Sequence, residues 1–306
     1  MLLLEFSDRR REMVRALDRI SELPDTIRLQ ILSLLPRKFA IRTGVLSWRW
    51  RDLWRHRWPC ATALIFGEEF SRGLTAEEFV SSVDEILKLR GNKKVEIFHL
   101  FFNQGNLCQS NIVSWIEYAI SNGVEELYLD FCQGFKMPNC LLHGDSLTVL
   151  SLKYCEFKQP LDFTRLKYLE TVSLKHVNVN DKMVADVIAD CPFLERLDLR
   201  HCPELRSIKV SGRDLRLKSL IVVNCWKASE IEIFAPNLRS FHFNGEFLKK
   251  YVFRDISMLS DAIMSSLGLE PAMCWANWVK IIGDLANVRV LTLCSRAVQV
   301  INLVLF

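Results

Sequence analysis

The sequence has no long hydrophobic run, no paired cysteines and no large excess of charge. No stretch approaches the roughly 18 apolar residues of a membrane helix, and Met1 to Leu4 is too short for a signal-peptide core. None of the ten cysteines form a Cys-x-x-Cys pair, so the pattern does not favour a metal site. The net charge of +4 gives only weak support for a polyanion partner. These absences favour an intracellular protein with reduced thiols, in the cytoplasm or nucleus.

Signatures of catalysis are missing as well. The sequence contains no phosphate-binding glycine loop, no zinc-protease helix and no Gly-x-Ser-x-Gly elbow. With 306 residues, half of them hydrophobic, the chain is long enough for a small module and one large elongated domain. We therefore expect a globular protein that is not an enzyme and has no cofactor.

The segment Leu23 to Trp54 places prolines and tryptophans around apolar residues at helical spacing. It reads Leu-Pro-Asp-Thr-Ile-Arg-Leu-Gln-Ile-Leu-Ser-Leu-Leu-Pro and later Val-Leu-Ser-Trp-Arg-Trp-Arg-Asp-Leu-Trp. Pro24 suits the first turn of a helix, and Pro36 cannot continue one. Further helices are predicted near Arg37 and Ser47. Three helices of about ten residues make a core too small to be stable alone, so some apolar positions must face a partner or the next domain.

This segment resembles an F-box from roughly Asp18 to Trp58, the helical module that docks a substrate receptor onto the Skp-type adaptor of a cullin ubiquitin ligase. The resemblance implies that Leu23, Pro24, Ile27 and Ile31 contact the adaptor, and that the aromatic end packs mainly internally. The full set that we assign to the adaptor interface and its core is Leu23, Pro24, Ile27, Ile31, Leu34, Leu35, Pro36, Val45, Leu46, Trp50, Leu53 and Trp54.

Two other interpretations of the segment stay open. It could be the end of an ordinary helical bundle with tryptophan in its core. Alternatively, the alternation of arginine with tryptophan between Trp48 and Trp58 could bind nucleic acid through phosphate contacts and base stacking. At helical spacing the tryptophans share a face that is more simply buried, so we expect no nucleic-acid partner.

An apolar-x-x-apolar-x-apolar pattern recurs through the rest of the chain. Its middle residues are separated by 23, 22, 25, 23, 21 and then 50 positions. The last gap predicts a degenerate or inserted repeat between Gly245 and Asn287, and Val95, Phe98 and Leu100 are expected to begin the series. The middle residues are Leu127, Leu150, Val172, Leu197, Leu220, Phe241 and Leu291.

This spacing is typical of leucine-rich repeats, in which each unit buries its apolar strand face against its neighbours. We predict an α/β chain: a small three-helix F-box followed by an irregular leucine-rich repeat solenoid, a parallel β arc with helices and short irregular connections on the outer side. The family resemblance also implies that Cys132, Cys155, Cys202 and Cys225 turn inward where the strands end. His201 beside Cys202 could suggest a nucleophile, but the alternation places the two on opposite sides.

Three helices are predicted outside the F-box. A capping box of Thr75 and Glu78 starts the first, which Gly91 ends. The others run from Ser110 to Ile120 and from Asp181 to Asp190; in the latter, Val184, Val187 and Ile188 are expected to face inward. The predicted domains are an N-terminal tail (1–17), the F-box (18–58), a connecting and capping segment with the first strand (59–122) and the repeats (123–306).

The end of the sequence, Val298 to Phe306, is apolar and carries no polar cap. The chain most resembles plant F-box proteins that often continue into a further small C-terminal domain, known as the FBD domain. We therefore expect the repeat series to be truncated at its C-terminus.

Residues between the apolar positions of each strand should face the concave surface. Lys153, Lys175 and Arg200 would lie about 5 Å apart on adjacent strands. We hypothesise that they meet an acidic or phosphorylated segment of a target protein. A solvated face, neutralised by Glu170, Glu195 and Asp198, is the simpler alternative. The predicted target-binding residues are Lys153, Lys175, Arg196, Arg200 and His242.

The resemblance implies a non-catalytic substrate receptor of an SCF-type ubiquitin ligase. The F-box would bind the Skp-type adaptor and, through it, a cullin, and the repeats would bind an unknown target protein. The alternative is a protein-interaction scaffold that works outside the ligase because its F-box has drifted.

Overall fold

The computed structural model describes residues 20, 22–34, 50, 61–103, 108–157, 163–266, 271–295 and 298. These residues fall into two compact units that divide between Lys93 and Lys94. The first unit contains helix α1 (Asp25–Leu34), strand β1 (Ala63–Phe66), the short helix α2 (Glu68–Ser71) and helix α3 (Ala76–Arg90). Within these residues no helix is both long and apolar enough to cross a membrane.

Helix α3 confirms the predicted capping box. The hydroxyl of Thr75 accepts the N–H of Glu78, and the carboxylate of Glu78 accepts the N–H of Thr75. The helix buries Phe79, Val83, Ile86 and Leu87 and ends at Gly91, whose φ of 62° lies in the left-handed region that favours glycine.

The second unit is a succession of strands with few helices. Helices α4 (Gln109–Ser121), α5 (Asp181–Asp190) and α6 (Pro271–Asp284) accompany two short 3-10 helices, Asn139–His143 and Phe163–Arg165. The strands are β2 (Ile97–Phe102), β3 (Glu126–Lys136), β4 (Val149–Glu156), β5 (Thr171–Lys175), β6 (Arg196–Arg200), β7 (Ser207–Ser211), β8 (Ser219–Val223), β9 (Glu230–Phe234), β10 (Ser240–Gly245), β11 (Lys250–Arg254), β12 (Asp261–Ser266) and β13 (Val290–Leu293).

The predicted repeats form one long parallel sheet in the order β2-β3-β4-β5-β6-β8-β10-β12-β13. Their middle apolar residues are register partners across neighbouring strands, as Leu150, Val172 and Leu197 show. These three side chains are fully buried, whereas Leu291 of the last strand is only half-buried. The solenoid prediction is therefore confirmed, with a core that each unit shares with its neighbours.

The gap between Gly245 and Asn287 contains a complete repeat. Strand β12 pairs with β10 on one side and β13 on the other, and Leu259, Ala262 and Met264 occupy its three apolar positions. All three are buried. The leucine pattern is hard to recognise in this repeat because small and flexible side chains stand at the middle and last positions.

The connections after β6, β8 and β10 differ from the prediction. They contain strands β7, β9 and β11, which form a second parallel sheet in the order β11-β9-β7. Ile208, Val210, Ile231 and Ile233 are buried from this sheet. The expectation of short irregular connections was wrong here, because these segments alternate apolar and polar residues with the period of a half-buried strand.

Helix α5 has the predicted bounds but a slightly different buried face. Asn180 caps it by accepting the N–H of Met183 through its side-chain oxygen, at 3.0 Å. Val184 and Val187 are buried as expected, together with Met183. Ile188, the third residue predicted to face inward, is only half-buried.

Candidate functional site

Helix α1 presents apolar side chains to solvent at the position of the predicted adaptor contact. The carbonyl of Pro24 accepts the N–H groups of Ile27 and Arg28, each at 3.0 Å, so the helix begins where the proline predicted. Pro24 is exposed, Ile27 is 41% exposed, and Leu23 and Ile31 are half-buried. Large apolar side chains exposed close together are typical of an interaction surface.

Ile20 extends this surface and was not predicted. Its side chain is 56% exposed and the backbone N–H of Leu23 donates to its carbonyl at 3.4 Å. The leucine-proline signature draws attention to residues that follow it, whereas Ile20 precedes it.

A buried arginine connects helix α1 to the aromatic part of the same segment. Trp50 is helical and 1% exposed, in line with the expected internal packing of the aromatic end. The guanidinium carbon of Arg28 lies 6.0 Å from the Trp50 ring centroid, and the guanidinium forms an ion pair with Asp25. Arg28 is fully buried, and sequence reasoning missed it because arginine is rarely buried.

The remaining predicted adaptor-site residues have no side-chain description. Leu34 is the last residue of helix α1, and the others lie outside the described residues. These others are Leu35, Pro36, Val45, Leu46, Leu53 and Trp54.

The predicted cations of the concave face lie side by side at the C-terminal edge of the long sheet. Asp130, Lys153, Lys175 and Arg200 are consecutive register partners across β3, β4, β5 and β6. We call Lys153, Lys175 and Arg200 the cation row. The strand spacing of about 5 Å brings three positive groups close together, which favours an anion or internal neutralisation.

Two members of the cation row are already paired. Lys153 Nζ lies 2.8 Å from Asp130 Oδ1, and Arg200 Nε lies 2.7 Å from Asp198 Oδ1. No carboxylate of the described residues lies within ion-pair distance of Lys175. Of the three acids expected to neutralise this face, therefore, only Asp198 pairs with a member of the row.

The other two expected neutralising acids lie near the opposite edge of the sheet. Glu195 pairs with Lys218, their Oε1 and Nζ atoms being 2.5 Å apart. Glu170 has no ion pair with any residue that the structure describes. Both residues directly precede the first residue of a strand, so they lie a strand length away from the cation row.

Arg196 and His242 are on the same sheet but not in the cation row. Arg196 is exposed at the start of β6, whereas Arg200 ends that strand, about 13 Å away by strand rise. His242 lies on β10, between Ile221 and Ile263 of the neighbouring strands. Burial, followed by the charge of Arg200, lowers the pKa of His242 below the ordinary histidine value.

Three aromatic rings stack directly beyond the cation row. The centroids of Tyr154 and His176 lie 4.2 Å apart, those of His176 and His201 lie 4.3 Å apart, and the interplanar angles are 9° and 3°. We call these residues the ring stack. Partial burial, then the charges of His201 and Lys153, lowers the pKa of His176. The edge therefore offers ammonium and imidazole donors together.

The backbone creates the ring stack. Tyr154, His176 and His201 have φ angles of 54°, 53° and 52°, and Asn224 continues the series at 51°. Each is the residue after the cation row or its continuation: His176, His201 and Asn224 directly follow the last residue of their strands, and Tyr154 lies near the end of β4. Aligning the repeats by their last apolar residue brings these four together, and that alignment was the available sequence signal.

The cysteine positions were predicted correctly for three of four units. Cys155, Cys202 and Cys225 are buried at the strand ends. The thiol of Cys202 donates to the carbonyls of Leu174 and Arg200 at 3.5 and 3.6 Å. Since His201 lies in the ring stack while Cys202 is buried, the two do not form a nucleophilic pair.

Cys132 is exposed, so its predicted inward position is wrong. Strand β3 is 11 residues long and continues to Lys136, with an irregularity between Asp130 and Phe135 where its register with β4 shifts. Phe131 and Phe135, stacked with centroids 4.4 Å apart, are buried instead.

Comparison with known proteins assigns both parts of the chain. The family described as F-box domain matches residues 20–61, and the family described as At1g61320/AtMIF1, LRR domain matches residues 86–304. The chain is 30% identical to F-box/LRR-repeat protein At3g03360 of Arabidopsis thaliana, over 94% of this chain and 61% of that protein. It is 31% identical to F-box/FBD/LRR-repeat protein At1g13570 of the same plant, over 75% of this chain and 50% of that protein. The chain thus spans half to about two thirds of the length of these relatives.

Proposed function

Because the chain belongs to the plant F-box/leucine-rich repeat family, we propose that it is a substrate-recognition subunit of an SCF-type ubiquitin ligase. Its F-box binds the Skp-type adaptor and thereby a cullin. Its solenoid holds a target protein near the ubiquitin-loaded enzyme. The contribution to catalysis is a raised effective concentration, and no chemistry takes place on this chain.

The observation that carries the adaptor half of the proposal is the exposed apolar surface of helix α1. Pro24 and Ile27 are exposed within the segment that the F-box family matches. Burying such side chains against a partner stabilises a complex by about 25 cal/mol per Å² of apolar surface removed from water. Ile20 contributes further apolar surface to the same contact.

The target half of the proposal uses the C-terminal edge of the long sheet. We propose that Lys175, with the ring stack and the paired cations beside it, binds an acidic or phosphorylated segment of the target. Lys175 is the member of the cation row that keeps no ion pair with a described carboxylate. Arg196 and His242 contact more distant parts of the same target.

We also propose that the protein works in the cytoplasm or nucleus. The cysteines that the structure describes are free, and Cys155, Cys191, Cys202 and Cys225 are buried among apolar residues. Burial raises the pKa of Cys191 to about 12, so this thiol stays protonated. Buried, unpaired thiols suit a reducing compartment.

Co-purification with a plant Skp-type adaptor tests the proposal. The wild-type chain should retain the adaptor, and a Leu23→Ala, Pro24→Ala double variant should lose it. Lys175→Ala, which alters only the target edge, is the matched control and should retain it. Failure of folded wild-type protein to bind the adaptor would refute the ligase role and favour an interaction scaffold outside the ligase.

A further inference from the structure

The N-terminal edge of the long sheet carries a second continuous row of residues. Backbone N–H groups of Thr148, Glu170, Glu195 and Lys218 each donate to the carbonyl of the equivalent residue one repeat earlier, at 2.8 Å. The row also includes Glu125 and Glu96, because the N–H of Glu125 donates to the Glu96 carbonyl at 3.0 Å, so its first half is mainly acidic. It lies opposite the cation row, one strand length away.

Aromatic side chains flank the acidic part of this row. Tyr168 and Phe193 each lie two positions before the row residue of their repeat, and their rings stack with centroids 6.1 Å apart at 21°. Tyr168 is 57% exposed and Phe193 is 37% exposed. Arg216, at the same position of the next repeat, places its guanidinium carbon 4.9 Å from the Phe193 ring centroid. The order along this flank is therefore Arg216, Phe193, Tyr168.

The next position along the flank leaves a space. Ser146 stands there, and its small hydroxyl donates to the Val124 carbonyl at 2.8 Å. A groove of about 340 Å³ opens beside Tyr168, lined by Glu125, Ser146, Thr148, Tyr168, Glu170 and Phe193. We call it the Tyr168 groove.

The charges at the Tyr168 groove are only partly neutralised. Glu125 pairs with Lys94, their Oε1 and Nζ atoms being 2.6 Å apart. Glu170 has no ion pair with a described residue, although it projects from a row whose neighbour Glu195 is paired with Lys218. An exposed aromatic ring beside an unpaired carboxylate attracts an organic cation through both the ring face and the charge.

We propose that the Tyr168 groove binds an arginine side chain of a partner protein, with the guanidinium against Tyr168 and its charge on Glu170. The chain already makes the same contact within itself, where Arg216 covers Phe193. Arginine fits better than lysine because its flat guanidinium stacks on a ring while its N–H groups reach a carboxylate. This site does not require the ligase role.

Fluorescence anisotropy with the intact chain tests the site. The probe is a labelled Gly-Ser-Gly-Arg-Gly-Ser-Gly peptide, and its comparison is the same peptide with citrulline, which keeps the shape and loses the charge. The arginine peptide should bind at low ionic strength and the citrulline peptide should bind several-fold more weakly. Equal binding of the two would overturn the proposal.

Variants of the groove sharpen the test. Tyr168→Ala should weaken binding of the arginine peptide about two- to fivefold, the range of a cation–π contact at an exposed site. Tyr168→Phe keeps the ring, so its affinity for the peptide should stay within about twofold of wild type. Glu170→Gln should weaken it similarly, and Glu204→Gln, which removes the same charge elsewhere, should not. Unchanged binding by both Tyr168→Ala and Glu170→Gln would refute the site.

Two further readouts keep the result unambiguous. Circular dichroism should show the same melting for every variant, since Tyr168 is largely exposed. Adaptor co-purification of the same preparations should be unaffected by these variants. A wild-type chain that binds the arginine peptide but not the adaptor would contradict the ligase role alone. A wild-type chain that binds the adaptor but not the arginine peptide would contradict the Tyr168 groove alone.

Discussion

The two edges of the long sheet are built by the same repeat, yet they carry opposite chemistry. At the C-terminal edge Lys175 lies among paired cations and stacked imidazoles, whereas at the N-terminal edge Glu170 lies among acids and exposed rings. The two residues flank or end the same strand, five positions and roughly 16 Å apart. The buried residues of each repeat determine where its other side chains lie, and the exposed residues at the two edges can differ because they do not contribute to the core.

The edges also differ in how they hold their side chains. The C-terminal edge relies on left-handed backbone at Tyr154, His176 and His201, which aligns their rings closely. The N-terminal edge has the ordinary backbone ladder and a wider ring spacing at Tyr168 and Phe193. The two edges therefore place their aromatic rings through different backbone conformations.

The largest effect should come from the core that both edges share. Leu197→Ala empties a fully buried position at the centre of the sheet and should lower the free energy of unfolding by about 2–5 kcal/mol, as measured by urea denaturation. Both edges should lose binding together in this variant. Ile263→Ala, at a 41% exposed position of the same sheet, is the control and should cost less than about 1 kcal/mol.

Reversing one charge should affect binding at one edge of the sheet more than at the other. Lys175→Glu should weaken the binding of an acidic phosphopeptide at least about fivefold, because it puts a repelling charge in place of a cation that pairs with no carboxylate among the described residues. Binding of the arginine peptide should change less, since Lys175 lies one strand length from the Tyr168 groove. Lys209→Glu makes the same charge change on the second sheet and should leave both peptides unaffected; equal loss in both variants would mean that only net charge matters.

The left-handed backbone should distinguish substitutions that are otherwise alike. His176→Asn and His176→Val both remove the ring, but asparagine tolerates a positive φ and a β-branched residue does not. The valine variant should therefore be less stable than the asparagine variant by about 1 kcal/mol in urea denaturation. Equal stability would show that the backbone at the C-terminal edge is not held in this conformation.

The smallest effect concerns pH. Because the folded state lowers the pKa of His176 below its ordinary value of 6.5, unfolding takes up a proton as the pH falls through 6.5 towards the lowered value. Wild type should thus lose a little stability in that range, and His176→Asn should lose less. Thermal melts of both proteins between pH 7.5 and pH 5 measure the difference, and parallel pH profiles would contradict it.

The sequence predicted those parts of the molecule that repeat or carry a strong local signal. Thr75 and Glu78 defined the start of helix α3, and the spacing of Leu150, Val172 and Leu197 defined the sheet and its register. Buried apolar residues at constant spacing allow few other strand registers, because a shift of one residue would turn every apolar side chain to the other face.

The missed features depend on contacts between distant residues. The gap of 50 positions predicted a further repeat between Gly245 and Asn287, but Ala262 and Met264 hid the position of its strand, since neither matches a leucine template although both are buried. The pairing of Lys153 with Asp130 needed knowledge of which strands are neighbours and of the side-chain conformations. The Tyr168 groove exists because Ser146 is small, and an absent side chain gives no signal in one sequence.

The most direct test of two independent edges is a titration in which one site is already filled. The acidic phosphopeptide is titrated into the intact chain, first alone and then with the Tyr168 groove saturated by the arginine peptide. Two separate sites of opposite preference predict the same phosphopeptide affinity in both titrations, with Lys175→Glu lowering it and Glu170→Gln leaving it unchanged. Competition between the peptides, or loss of both in either variant, would contradict the account.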